Sequence, residues 1–227
     1  MFLYHGTDAR KLTSIIEHGL RPKGYGTLTR GLEHNPNAVF LTSVYPFMYG
    51  LDAINKNDID KTLLILKINI SKLKQELLIP DDELYVRTLV RSGNDWRTAC
   101  AESRKMTHCI NGWKESIAKH GSCAYLGTIG MHAVDTIAFV NVKKQNSWVA
   151  ALTLSGFPSP EQFTVHKNRL TNAVEWLFTD NVHKDFIING KPMLRGFDVL
   201  LPKDRDGICI FKPYEAKAMK WLRKKSA

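Results

Sequence analysis

The chain has 227 residues, a formal net charge of +10, 44% apolar and 24% charged residues, the proportions of a globular protein long enough to bury one large core or two small ones. No run of eighteen apolar residues occurs and the opening MFLYHGT does not read as a secretory leader, so neither a membrane span nor export is expected and the compartment reads as cytoplasmic. The charge is uneven: residues 1–100 carry 13 Lys/Arg against 11 Asp/Glu and residues 101–227 carry 19 against 11, which points to a polyanionic partner, most simply nucleic acid.

In chain order, residues 2–5 read as a short strand. Asp8 or Thr7 then caps a helix on which Leu12, Ile15 and Ile16 share a face, and Gly19 stops it. Residues 21–37, rich in Gly, Pro and Asn, are a long loop of the kind that often carries function. AVFLTS (38–43) is a second strand, and Pro46 opens a short helix over PFMYGLDAI. KTLLILKINI (61–70) is the clearest strand. SKLKQELLIPDDELY leaves the sheet for an acidic turn at Asp81, Asp82 and Glu83, and residues 90–121 are polar until WKESIAKHG (113–121), a helix with a glycine stop. CAYLGTI (123–129) and DTIAFVNVKK (135–144) are two further strands. TVHKNRLTNAVEWLF (164–178) is an amphipathic helix, DFIINGKPM a hairpin turning at Asn189-Gly190, GFDVLLP and GICIF strands, and YEAKAMKWLRKKSA a basic terminal helix. The fold class is α+β. Residues 1–144 form the core; residues 145–227 extend the same sheet or make a small accessory unit. Cys100, Cys109, Cys123 and Cys209 form no CxxC pair, so neither a metal site nor a disulfide framework is expected.

A histidine at a strand end, followed by Gly and Thr, offers an imidazole, a close backbone approach and a hydroxyl. Those groups suit a ribose or an amide, and they equally suit a structural histidine beside a tight turn. In VFLTSVYPFMY, Tyr45 or Tyr49 can stack on a flat cationic ring; at least two of Phe40, Tyr45, Phe47 and Tyr49 are expected in the core.

LYHGT, a helix ending IIEHGLRP, then AVFLTS and an aromatic helix together resemble the ADP-ribosyltransferase superfamily. The likeness is to the branch marked by His, Tyr and Glu on three strands, which includes the poly-ADP-ribose polymerases and diphtheria-type toxins, and it spans roughly residues 2–142. It implies a split mixed β-sheet with an NAD cleft, NAD as substrate and no metal. It further implies that His5 contacts the nicotinamide ribose, that the Gly6 backbone holds the nicotinamide amide, that Thr7 supports the pocket, and that Tyr49, with Tyr45 as alternative, stacks on the nicotinamide. One departure stands out. The family glutamate opens the strand that aligns with SCAYLGTI, where this chain has Ser122 or Cys123. Glu102 and Glu115 are the nearest candidates for the carboxylate that stabilises charge as nicotinamide leaves.

The basic second half makes nucleic acid the expected acceptor, RNA before single-stranded DNA. Arg97, Arg104 and Lys105 supply charge next to Trp96 and Trp113, which either stack on exposed bases or lie in the core. The leading expectation is a nucleic-acid-modifying mono-ADP-ribosyltransferase, a toxin or anti-phage effector with an antitoxin partner. The rivals are a protein-modifying transferase, an NAD-dependent RNA 2′-phosphotransferase, and a non-catalytic RNA-binding module on a degenerate transferase fold.

Overall fold

A computed structural model of the chain describes residues 1–22, 35–54, 62–106, 111–143, helical residues between 167 and 178, and strand residues 187–188, 191–194, 199–200 and 208–211. The strands are β1 (Phe2–Asp8), β2 (Ala38–Thr42), β3 (Thr62–Asn69), β4 (Leu78–Pro80), β5 (Ser122–Leu126), β6 (Val134–Asn141), β7 (Ile187–Ile188), β8 (Lys191–Leu194), β9 (Val199–Leu200) and β10 (Ile208–Phe211). The helices are α1 (Leu12–His18), α2 (Pro46–Ala53), α3 (Asp82–Arg91), α4 (Trp96–Met106) and α5 (Gly112–His120). Seven strands make one sheet in the order β10-β6-β3-β1-β2-β5-β4, and β7-β8-β9 make a small second sheet. The architecture is α+β, as expected.

Every described pairing is antiparallel, which corrects the expected mixed sheet. β2 and β3, joined through α2, both run antiparallel to β1 and so parallel to each other, but β1 lies between them and no parallel ladder forms.

The sheet is buried on both faces. On one, Tyr4, Leu63, Ile65 and Val140 pack with Phe47 of α2 and with Leu170, Val174 and Leu177, whose spacing is that of the expected amphipathic helix. On the other, Leu3, Leu41, Leu64 and Leu66 pack with Leu12 and Ile15 of α1 and with Trp113 and Ile117 of α5. Burial of alternate β3 residues into opposite clusters is why TLLILKIN reads as an unbroken apolar run. Gly6 faces α2 at a distance that admits no side chain: a Cβ there would overlap the Pro46 carbonyl, with the Gly50 nitrogen also inside contact range at 2.9 Å. A glycine is required because helix backbone lies directly on strand backbone.

Three elements had no counterpart in the pattern reading. The stretch read as leaving the sheet contributes the short strand β4, which pairs with β5 as Pro80↔Cys123. The acidic turn is the N-terminus of α3, capped by the Asp81 side chain, which accepts from the Leu84 N–H at 3.1 Å. The polar stretch after residue 90 contains α4. The Ile188↔Lys191 pairing leaves two residues between β7 and β8, as the hairpin reading requires, and β10 pairs with β6 at the edge of the main sheet. Most of the expected loop at 21–37 and the expected basic terminal helix lie outside the described residues.

Candidate functional site

Within the main sheet the sparsest pairing is that between β1 and β2. β1 pairs with β3 along its whole length, Phe2↔Asn69 through Asp8↔Leu63, yet it pairs with β2 only at Tyr4↔Thr42. Beyond that junction no further ladder joins the two strands, and the gap is bridged by a side chain: His5 Nδ1 lies 2.9 Å from the Phe40 carbonyl oxygen. A carbonyl accepts only, so Nδ1 carries the proton. Burial lowers the imidazole below its ordinary value, opposed by the Phe40 bond, and the Lys11 charge lowers it further. The ring is therefore neutral near pH 7, with Nε2 as a free-electron-pair acceptor that no described residue engages.

Thr42 holds the other side of the junction. It is fully buried. Its Oγ1 donates to the Gly121 carbonyl at 2.8 Å and accepts from the Val44 and Tyr45 N–H groups at 3.0 and 2.9 Å. Those bonds turn the chain from β2 into α2, the helix that carries Tyr49.

Tyr49 is half-buried, and its hydroxyl reaches the head of β5, 3.3 Å from Ser122 Oγ and 3.4 Å from Asp81 Oδ2. Ser122 is paired across the sheet with Thr42, so Tyr49 and His5 both border the junction at which the sheet opens. Ser122 Oγ lies 2.5 Å from Asp81 Oδ2 and 3.0 Å from the Leu41 carbonyl. Ser116 closes the network, accepting from the Asp81 N–H at 3.0 Å and donating to the Ser122 carbonyl at 2.8 Å. Asp81 is 1% exposed. Burial raises its carboxyl to about 7, against the opposing bonds from Ser122 and Leu84, and the Asp82 and Glu83 charges add to the rise. The Tyr49 hydroxyl is pushed well above its ordinary value by burial and by Asp81.

The other expected site residues are dispersed. Thr7 is buried on β1. Tyr45 is 3% exposed within the core cluster beneath α2, which leaves Tyr49 as the tyrosine at the site. Glu102 pairs with Lys105 at 2.5 Å on α4, and Glu115 with Lys119 at 2.5 Å on a solvated face of α5. The structure brings neither glutamate into the network at β5. Trp113 is a core residue and Trp96 an exposed one. Trp96, Arg97 and Lys105 lie on the exposed surface of α4; Arg104 lies on the same helix, its side chain outside the described residues. The sequence reading missed Asp81 and Ser122 as site residues. An Asp followed by two further acidic residues, ahead of Leu84, is an N-cap signal, but nothing local reports a contact with a residue 41 positions away.

Two buried groups move stability in opposite directions below pH 7. His120, lowered to about 4 by burial and by Lys119, takes up its proton in the unfolded chain first, so stability falls as pH drops from 6.5 towards 4. Asp81, raised to about 7, is protonated in the folded state first, so its contribution grows over the same window and is lost as pH rises through 7. Asp81→Asn removes the second contribution. Its melting temperature is expected to fall more steeply than that of the wild type between pH 7 and 4, measured by circular dichroism.

Among the described residues no group of three His, Cys, Asp or Glu side chains is placed to hold a metal ion, and no helix is long and apolar enough to cross a membrane. The chain matches no known protein-family profile and no curated protein. A solved structure titled EcPltA is similar to it at 12% identity and a TM-score of 0.34, over 62% of this chain and 75% of that one. At that level the likeness assigns neither fold family nor function.

Proposed function

We propose that this protein is an NAD-dependent mono-ADP-ribosyltransferase that modifies nucleic acid, RNA before single-stranded DNA. It would act in the cytoplasm as a toxin or anti-phage effector restrained by an antitoxin. One observation carries the reading: β1 and β2 part immediately after Tyr4↔Thr42, and the gap is lined by His5, locked in one tautomer by the Phe40 carbonyl. The free Nε2 of His5 suits a ribose hydroxyl, which donates to it, and the half-buried Tyr49 ring suits a flat cationic nicotinamide. The residues present therefore fit the nicotinamide–ribose half of NAD, the substrate. In the reaction the bond between the nicotinamide nitrogen and ribose C1′ breaks, and its electron pair leaves with nicotinamide. The acceptor nucleophile bonds to C1′ and its proton passes to water. The +10 net charge and the exposed Trp96 beside Arg97 support a nucleic-acid acceptor.

The test is incubation with NAD labelled in its adenylate, in separate tubes with RNA, single-stranded DNA and cell protein. Label on RNA is the expected result. Label on protein alone overturns the acceptor. Absence of both label and nicotinamide release overturns the enzyme, and leaves the RNA-binding module favoured by Ser122 in place of a glutamate.

A further inference from the structure

The head of β5 carries a serine, yet a carboxylate is there. β4 pairs alongside β5, and the residue that follows it, Asp81, sets Oδ2 2.5 Å from Ser122 Oγ and 3.4 Å from the Tyr49 hydroxyl. We propose that Asp81 is the positioning carboxylate of this site: through Ser122 and Tyr49 it fixes the tyrosine ring and supplies negative charge beside the opening between β1 and β2.

The network is built to hold either protonation state. Ser122 has one hydroxyl proton and, besides the Tyr49 hydroxyl at 3.3 Å, two acceptors in reach, Asp81 Oδ2 and the Leu41 carbonyl. With Asp81 ionised, Ser122 donates to it. With Asp81 protonated, Asp81 donates to Ser122 Oγ and Ser122 turns to Leu41. A purely structural helix cap needs only the Leu84 bond, which uses the other oxygen, Oδ1. The groups that face Asp81 are Asp82 and Glu83 of α3, Tyr49 of α2, Ser122 and Cys123 of β5, and Ser116 of α5. His120 of α5 lies 3.5 Å from Thr88 on the adjoining α3. In a low-dielectric setting an ionised Asp81 stabilises positive charge developing on a nearby ribose.

This inference rests on the transferase reading, and one experiment separates the two. Nicotinamide release is measured from pH 5 to 9 for wild type, Asp81→Asn and Ser122→Ala, with melting curves for each. Asparagine caps helices as well as aspartate does, so Asp81→Asn keeps the Leu84 bond through its amide oxygen, loses the charge, and puts an NH2 donor where Oδ2 accepts from Ser122 and Tyr49. Wild-type turnover is expected to rise through about pH 7. Asp81→Asn is expected to lower kcat about 100-fold with KM within about threefold, and to abolish that rise. Ser122→Ala removes a bond that favours the ionised carboxylate, so the midpoint should move to higher pH. A folded Asp81→Asn with wild-type kcat and pH profile, or an unmoved midpoint in Ser122→Ala, overturns the role of Asp81 while the transferase stands. Wild type without nicotinamide release in any tube overturns both.

Discussion

Replacing His5 with alanine is expected to reduce nicotinamide release at least about 100-fold while leaving a folded protein. The imidazole does two things at the opening of the sheet. Nδ1 satisfies the Phe40 carbonyl on β2 across the gap, at 2.9 Å, and that bond turns Nε2 into an acceptor. Alanine removes both. The structural part is modest: one part-buried carbonyl loses its donor and a side chain's volume is vacated, about 1–2 kcal/mol, or a few degrees in the melting temperature of a chain this size. In the proposed transferase the chemical part is larger, because an acceptor that takes a ribose hydroxyl positions the bond to be broken. The two parts separate by experiment, with melting read by circular dichroism and rate read by nicotinamide release. A variant that melts a few degrees lower yet turns over like wild type makes His5 a strand-bridging residue only. Acid should mimic the substitution once it protonates the imidazole, which burial holds below its ordinary value, because protonation destroys the Nε2 acceptor.

The parts of the fold that were legible in the sequence are those whose signals are local. β3 is an apolar run between polar ends, α2 begins on Pro46, and α5 ends on Gly121 with a φ of 74°. β4 was not legible because three residues, one of them proline, carry no periodicity to detect. α3 and α4 were hidden because most of their residues are exposed or half-buried: Leu84 and Val86 are buried on α3, and Ala99 and Ser103 on α4. An apolar stripe that narrow looks like loop. The site divided in the same way. His5 and Tyr49 stand in recognisable strand-end and helix contexts. Glu102 and Glu115 were chosen by proximity in sequence to the head of β5, and both form solvent-side pairs with lysines on their own helices. Asp81 directly follows the neighbouring strand β4 instead, and adjacency between strands is set by the register Pro80↔Cys123, which no short-range pattern encodes.

Thr42→Val should be the most destabilising of the near-isosteric changes at the site, by about 3 kcal/mol. Valine fills the same volume but has no hydroxyl. The Val44 and Tyr45 N–H groups, both within 3.0 Å of Oγ1, lose their acceptor in a buried place, and each orphaned donor costs about 1–3 kcal/mol. The Gly121 carbonyl is less affected, because it also accepts from the Ser43 N–H at 2.8 Å. Thr42→Ser keeps the oxygen and should lose only about 1 kcal/mol for its methyl group. A denaturant titration of the two variants therefore isolates the hydroxyl. The effect should also reach Tyr49. Thr42 pairs with Tyr4 on one side and Ser122 on the other, while its hydroxyl sets the first turn of α2, so the position of the tyrosine hydroxyl depends on this one side chain. If Thr42→Val matched Thr42→Ser in stability, the turn into α2 would be held by packing alone. The junction where the sheet opens would then need no hydroxyl to define it.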